Sequence, residues 1–242
     1  MSLRDAGIAI AAILITANVA AQKSALKLMS FDPAAPGACE TIEGPQKEDS
    51  PSDIRGWIMA CADSDKNIEN SEFTALRESE AKARKTESAA YGVLIAAFEK
   101  YRALQLDLYG RRCRGGTSCG AMMIQEEARI NYSFLIMAEG FRSTGFPSFS
   151  TSDFAVTDAA LNKAYEESKS RLQPTCAPQG TGNYDEFCIS RAQVRAMEKA
   201  WLRYRDAWVA FAAIKWPQVS ANTWSTYMTR EHVKHGGDGT TD

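Results

Sequence analysis

The chain has 242 residues, of which 45% are hydrophobic and 24% charged, a composition of folded rather than disordered protein. That length suffices for one large domain or two small ones. A formal net charge of −2 excludes a basic footprint for nucleic acid or anionic membrane, and it is not acidic enough to imply a basic partner.

Met1 to Asp5 form a short polar start with one positive charge, Arg4, and residues 6–19 (AGIAIAAILITANV) are then almost wholly apolar. Val19 and Ala21 place small residues before a cleavage point after Ala21. This is the layout of a secretory signal peptide over 1–21, with a mature chain from Gln22. A membrane anchor is the alternative, but the apolar run, roughly 14 residues, is shorter than the ~20 needed to span a bilayer. No stable membrane insertion is therefore expected after processing, and the expected location is periplasmic or secreted.

Residues 22–51 are rich in Pro, Gly, Asp and Ser and read as an irregular lead-in. A short helix is predicted over 52–62, with Ile54, Trp57, Ile58 and Cys61 on one face. Residues 70–110 are dominated by Ala, Glu, Lys, Arg and Leu, which favour a long helical region ending at Gly110. Another helix is predicted over 121–141, and 142–152 (RSTGFPSFSTS) reads as a linker. Beyond it come a helix over 153–172, a loop (QPTCAPQGTGN), a long helix over 185–216 broken by Pro217, a last helix over 219–234, and a Gly-rich tail at 236–242.

Val194, Met197, Trp201, Tyr204, Trp208 and Phe211 recur at helical spacing and make one apolar stripe, read as packing surface before ligand groove. A shift of 103 residues carries them onto Tyr91, Leu94, Phe98, Tyr101, Gln105 and Leu108. With FEKYR facing WLRYR and a matching order of helices, this reads as an internal repeat rather than a chance match of two amphipathic helices. The expected architecture is all-α, two related helical-hairpin units at 52–141 and 153–235, built on long amphipathic helices and stapled by disulfides.

The cysteines are Cys39, Cys61, Cys113, Cys119, Cys176 and Cys188, an even number in a chain read as exported, which argues for disulfides. They fall into three sequential pairs, and local pairing within each is the expected arrangement. A cysteine metal site is disfavoured, since no CxxC occurs and both histidines lie near the chain's end. His232 and His235 sit three apart on the last helix, near Glu231 and Asp238, but spacing fixes no third ligand; a capping or solvent role is expected. No metal and no cofactor are expected. Nor is catalysis: GxSxG, HExxH and a Cys/His pair are all missing from the sequence.

Two stretches carry a family resemblance. One reads TDAALNKAYEESKSRL, with Asp158, Asn162 and Tyr165; the other reads AWLRYRDAW, with Trp201, Tyr204, Arg205 and Asp206. Together they resemble the lysozyme inhibitor LprI family, with its Asp-x-x-Leu-Asn-x-x-Tyr helix followed by a Trp-Leu-x-Tyr-Arg-Asp helix. The first half resembles it more faintly through Cys39, Cys61, Phe98, Tyr101 and Arg102, giving two tandem copies of which the first is degenerate. The sequence departs from the family at Glu198 and Ile95, where a glutamine is usual, and lacks the cysteine usual after the Arg-Asp step. The resemblance implies an exported helical protein that inhibits a lysozyme-type muramidase or another peptidoglycan hydrolase by steric occlusion. The alternative is an envelope-associated structural or assembly module without an enzyme target.

Two further expectations come from the residues themselves. Arg205 is expected half-buried and paired with Asp158, a contact worth on the order of 3–5 kcal/mol if buried. Arg111, Arg112 and Arg114 lie in a cationic segment expected to be closed by its own disulfide; it is the candidate partner-binding loop because a short rigid loop loses little entropy on docking.

Overall fold

A computed structural model describes residues 56, 59, 73–113, 119–140, 148–177 and 185–234. Among these the protein is all-α, as expected. The helices with described bounds are α1 (73–81), α2 (Lys85–Arg112), α3 (Cys119–Gly140), α4 (Thr151–Arg171), α5 (Arg191–Lys215) and α6 (Ala221–Lys234). The signal peptide, the lead-in and the Cys39–Cys61 pair lie outside the described residues. Of the helix expected at 52–62, Gly56 and Met59 are described, and both are helical.

Contacts divide the chain into two compact units, one of residues 1–73 and 127–146, the other of residues 74–126 and 147–242. In the first, Phe73 stacks on Phe134 with ring centroids 5.4 Å apart, and Leu135, Met137 and Ala138 are buried. The second is organised around α2 and α5, the most extensive helix pairing of the described residues. Tyr91 meets Phe211, and Phe98 meets Tyr204, so the two helices run antiparallel. The contacts thus pair a helix from before the 142–152 segment with one from after it. The reason is physical: both long helices carry an apolar stripe, and each stripe is the other's burial surface. All twelve stripe positions are buried, six on each helix.

Helix boundaries are set by local chemistry that periodicity alone blurred. The helix expected from residue 185 begins at Arg191, because Ser190 caps it: Ser190 Oγ accepts from the Gln193 amide at 3.3 Å, and the Ser190 amide donates to Gln193 Oε1 at 2.9 Å. Residues 185–190 are instead held by an isolated bridge between Gln173 and Ser190 and by the Cys176–Cys188 disulfide. Helix α4 begins at Thr151 on an equivalent Ser150–Asp153 box rather than at Asp153, which takes the N3 place. Hydrogen bonding from Ser150 holds the Asp153 carboxyl below its ordinary range. The long helical region over 70–110 is interrupted at 82–84, where Lys82 and Ala83 donate to carbonyls three residues back. No Gly or Pro marks that break. At the other end of the unit, α5 stops at Lys215 ahead of Pro217, and Trp208, Trp216 and Trp224 cluster there with centroids 5.3 to 6.5 Å apart.

Candidate functional site: a cationic end and its groove

Antiparallel packing brings the C-terminus of α2 to the N-terminus of α5. Arg111 and Arg112 belong to the last turn of α2 rather than to a loop, and both are half-buried. The Arg111 guanidinium donates to Asp107 Oδ2 at 3.1 Å and to the Glu186 carbonyl at 3.0 Å, across to the turn that precedes α5. Cys113 and Cys119 are disulfide-bonded, joining the ends of α2 and α3. Arg114 lies outside the described residues. Of the three predicted partner-binding arginines, the structure thus places two at one end of the unit and commits Arg111 to holding that end together.

A groove of about 480 Å3 opens nearby, between the C-terminal half of α4 and the first turns of α5. Tyr165, Glu166 and Lys169 line one wall, Arg191, Ala192 and Arg195 the other, and Pro174 its end. Its frame is rigid. The Arg191 Nε donates to the Leu172 carbonyl at 2.8 Å, the Arg191 amide donates to Gln173 O at 2.8 Å, and the Cys176–Cys188 disulfide closes the loop between the helices. Lys169 donates to both Glu166 oxygens, at 2.7 and 2.6 Å. Sequence reasoning missed this groove because nothing in the sequence distinguishes Arg191 and Arg195 from an ordinary solvated helix face.

The aromatic residues Phe98, Tyr101, Trp201 and Tyr204 that carried the resemblance are packing residues. Trp201 and Tyr204 are buried, and Tyr101 stacks on Tyr204 at 5.7 Å. Burial drives the Tyr204 hydroxyl well above its ordinary pKa. Asn162 donates to the Asp158 carbonyl at 2.9 Å one turn back, while Tyr165 faces the groove. The expected Arg205–Asp158 pair is present at 3.5 Å, but Asp158 is 40% exposed, so the pair is a rim contact rather than a buried one. Arg205 also reaches Asp206 at 3.3 Å and lies over the Trp201 and Phe154 rings, at 5.4 and 5.6 Å. On α2, Arg102 lies over Phe98 at 5.6 Å.

Two buried polar clusters had no signal in the sequence. Lys215 bridges Glu80 of α1 and Glu87 of α2, the latter at 2.7 Å, and its ammonium lies against the Phe211 and Trp216 rings. Hydrogen bonding and charge from Lys215 hold the Glu87 carboxyl below its usual range. The second cluster overturns the solvent role expected for His232. Its ring is buried, stacks on Trp201 at 4.0 Å and donates from Nε2 to Glu198 at 3.2 Å. Glu198 is thus the acceptor that satisfies a histidine in the core. His235 lies outside the described residues, and among those described no group of three His, Cys, Asp or Glu is placed to hold a metal ion. Nor, among them, is any helix long and apolar enough to cross a membrane.

Compared with known families, residues 148–233 match the family described as Lysozyme inhibitor LprI. This segment contains α4, α5 and α6, both capping boxes, the Cys176–Cys188 disulfide and every residue lining the groove. Among curated proteins and solved structures, nothing matches the chain.

Proposed function

We propose that this chain, LprI-like over residues 148–233, is an exported binding protein that inhibits a lysozyme-type muramidase or another peptidoglycan hydrolase. The family match carries the reading. Disulfides at Cys113–Cys119 and Cys176–Cys188 support an oxidising, extracytoplasmic compartment, periplasmic or secreted, which agrees with reading residues 1–21 as a signal peptide. The mechanism is steric occlusion without chemistry by the chain itself. The cationic end presents Arg112 next to Cys113, Arg114 belongs by sequence to the disulfide-closed 113–119 segment, and these arginines pair with the two carboxylates a glycosidase uses. Arg111 positions this end through the Glu186 carbonyl. Residues 52–141 are a degenerate first copy of the same unit. The matched burial of the two stripes and the like placement of Arg102 over Phe98 and Arg205 over Trp201 support that duplication.

The test is a bacterial-cell lysis assay in which the oxidised mature protein is added to a panel of purified muramidases. Saturable, stoichiometric inhibition of one of them is expected, and it should be lost in the double variant Arg112→Glu, Arg114→Glu. No inhibition across the panel at large molar excess would sink the reading in favour of an envelope-assembly module.

A further inference from the structure

The groove between α4 and α5 carries a chemistry that occlusion by the 113–119 loop does not use. We infer that it is a binding site for a short acidic peptide, whose carboxylates are taken by Arg191 and Arg195 and whose apolar atoms lie along Tyr165, Ala192 and Pro174. The two arginines are one helical turn apart on α5, so their guanidinium groups face the same space. Arg191 is oriented in advance by its Nε bond to the Leu172 carbonyl, which leaves its two terminal nitrogens to form a planar fork with a carboxylate. The whole frame is fixed by the Ser190–Gln193 capping box and the Cys176–Cys188 disulfide, so little ordering cost remains at the moment of binding.

The opposite wall narrows the ligand class. Lys169 is held by Glu166, which makes that wall mixed in charge instead of a second cationic surface. Such a wall disfavours a compact polyanion such as phosphate, and Glu166 can accept from the amine or amides of a peptide. The volume, about 480 Å3, lies within the ~300–1,000 Å3 typical of small-ligand clefts. In the repeat register, Arg191 and Arg195 correspond to Ser88 and Gly92, so the site belongs to the second half alone.

The experiment titrates the isotope-labelled, oxidised full chain with Ala-Glu-Glu and follows backbone amide shifts. Saturable shifts centred on Tyr165, Arg191 and Arg195 are expected, weakening as salt screens the pair. Ala-Gln-Gln-amide and inorganic phosphate should each bind at least about tenfold more weakly, as should Ala-Glu-Glu to the Arg195→Glu variant; each tenfold corresponds to about 1.4 kcal/mol. Arg203→Glu makes the same charge change at another exposed position of α5 and should leave binding unchanged. Three results would each overturn the assignment: no saturable shift at about 10 mM peptide, phosphate binding as tightly as the peptide, or Arg203→Glu weakening binding as much as Arg195→Glu. Because the readout is direct binding, it stands whether or not the chain inhibits a hydrolase.

Discussion

Helices α2 and α5 carry the same six-position stripe, yet they are finished differently. On α5 the fifth position is Trp208, fully buried and packed against Trp216 and Trp224. On α2 the same position is Gln105, equally buried, whose amide reaches Glu126 of α3 at 3.3 Å. The start of α5 is closed by a capping box, whereas α2, with Arg84 at its N-cap, has no side-chain cap and depends on Lys215 of α5 to gather Glu87 and Glu80. The two stripes therefore share a packing pattern, while each helix end has its own chemistry. The second half holds its own loop and groove; the first leans on the second.

The largest expected effect tests the unequal fifth position. Trp208→Ala removes a fully buried indole and should cost about 3–5 kcal/mol, whereas Gln105→Ala removes a buried amide and its hydrogen bond to Glu126, about 1–3 kcal/mol. Urea unfolding at neutral pH measures both; equal losses would mean that the two stripes contribute alike.

Lys215→Met sharpens the claim that α2 leans on α5. It removes the ammonium shared by two carboxylates, one of them fully buried, and should destabilise by about 3 kcal/mol at pH 7. Because Lys215 lowers the Glu87 pKa below its ordinary 4.5, that carboxylate contributes stability above pH 4.5 and loses it as pH falls through the depressed value. The parent protein should thus lose stability below about pH 4.5, and the gap between parent and variant should narrow there. A gap that stayed constant from pH 7 to pH 3 in thermal melts would refute the coupling.

Smallest is the difference between the two arginines. Arg205 lies over two rings and touches two carboxylates, while Arg102 lies over Phe98. Since Asp158 is 40% exposed, the Arg205–Asp158 coupling in a double-mutant cycle should be below about 1 kcal/mol, less than a buried pair would give. Arg205→Ala should nevertheless lower Tm by a few degrees through the lost ring contacts. An unchanged Tm would remove Arg205 from the structural framework.

Much of this was legible in the residues. Helical periodicity identified the stripes, Pro217 marked the end of α5, the spacing of cysteines anticipated Cys113–Cys119 and Cys176–Cys188, and the motif at 158–206 pointed to the family that matches 148–233. These are local signals, fixed by backbone geometry and short loops. What the two stripes pack against was decided only in three dimensions, because a stripe states that a face must be buried and not against what. The same holds for Glu80, Glu87 and Lys215, for Glu198 and His232, and for the groove of Arg191 and Arg195. Each joins residues from different helices, and a charged side chain reads the same in sequence whether it ends in solvent, in a buried pair or on the wall of a binding site.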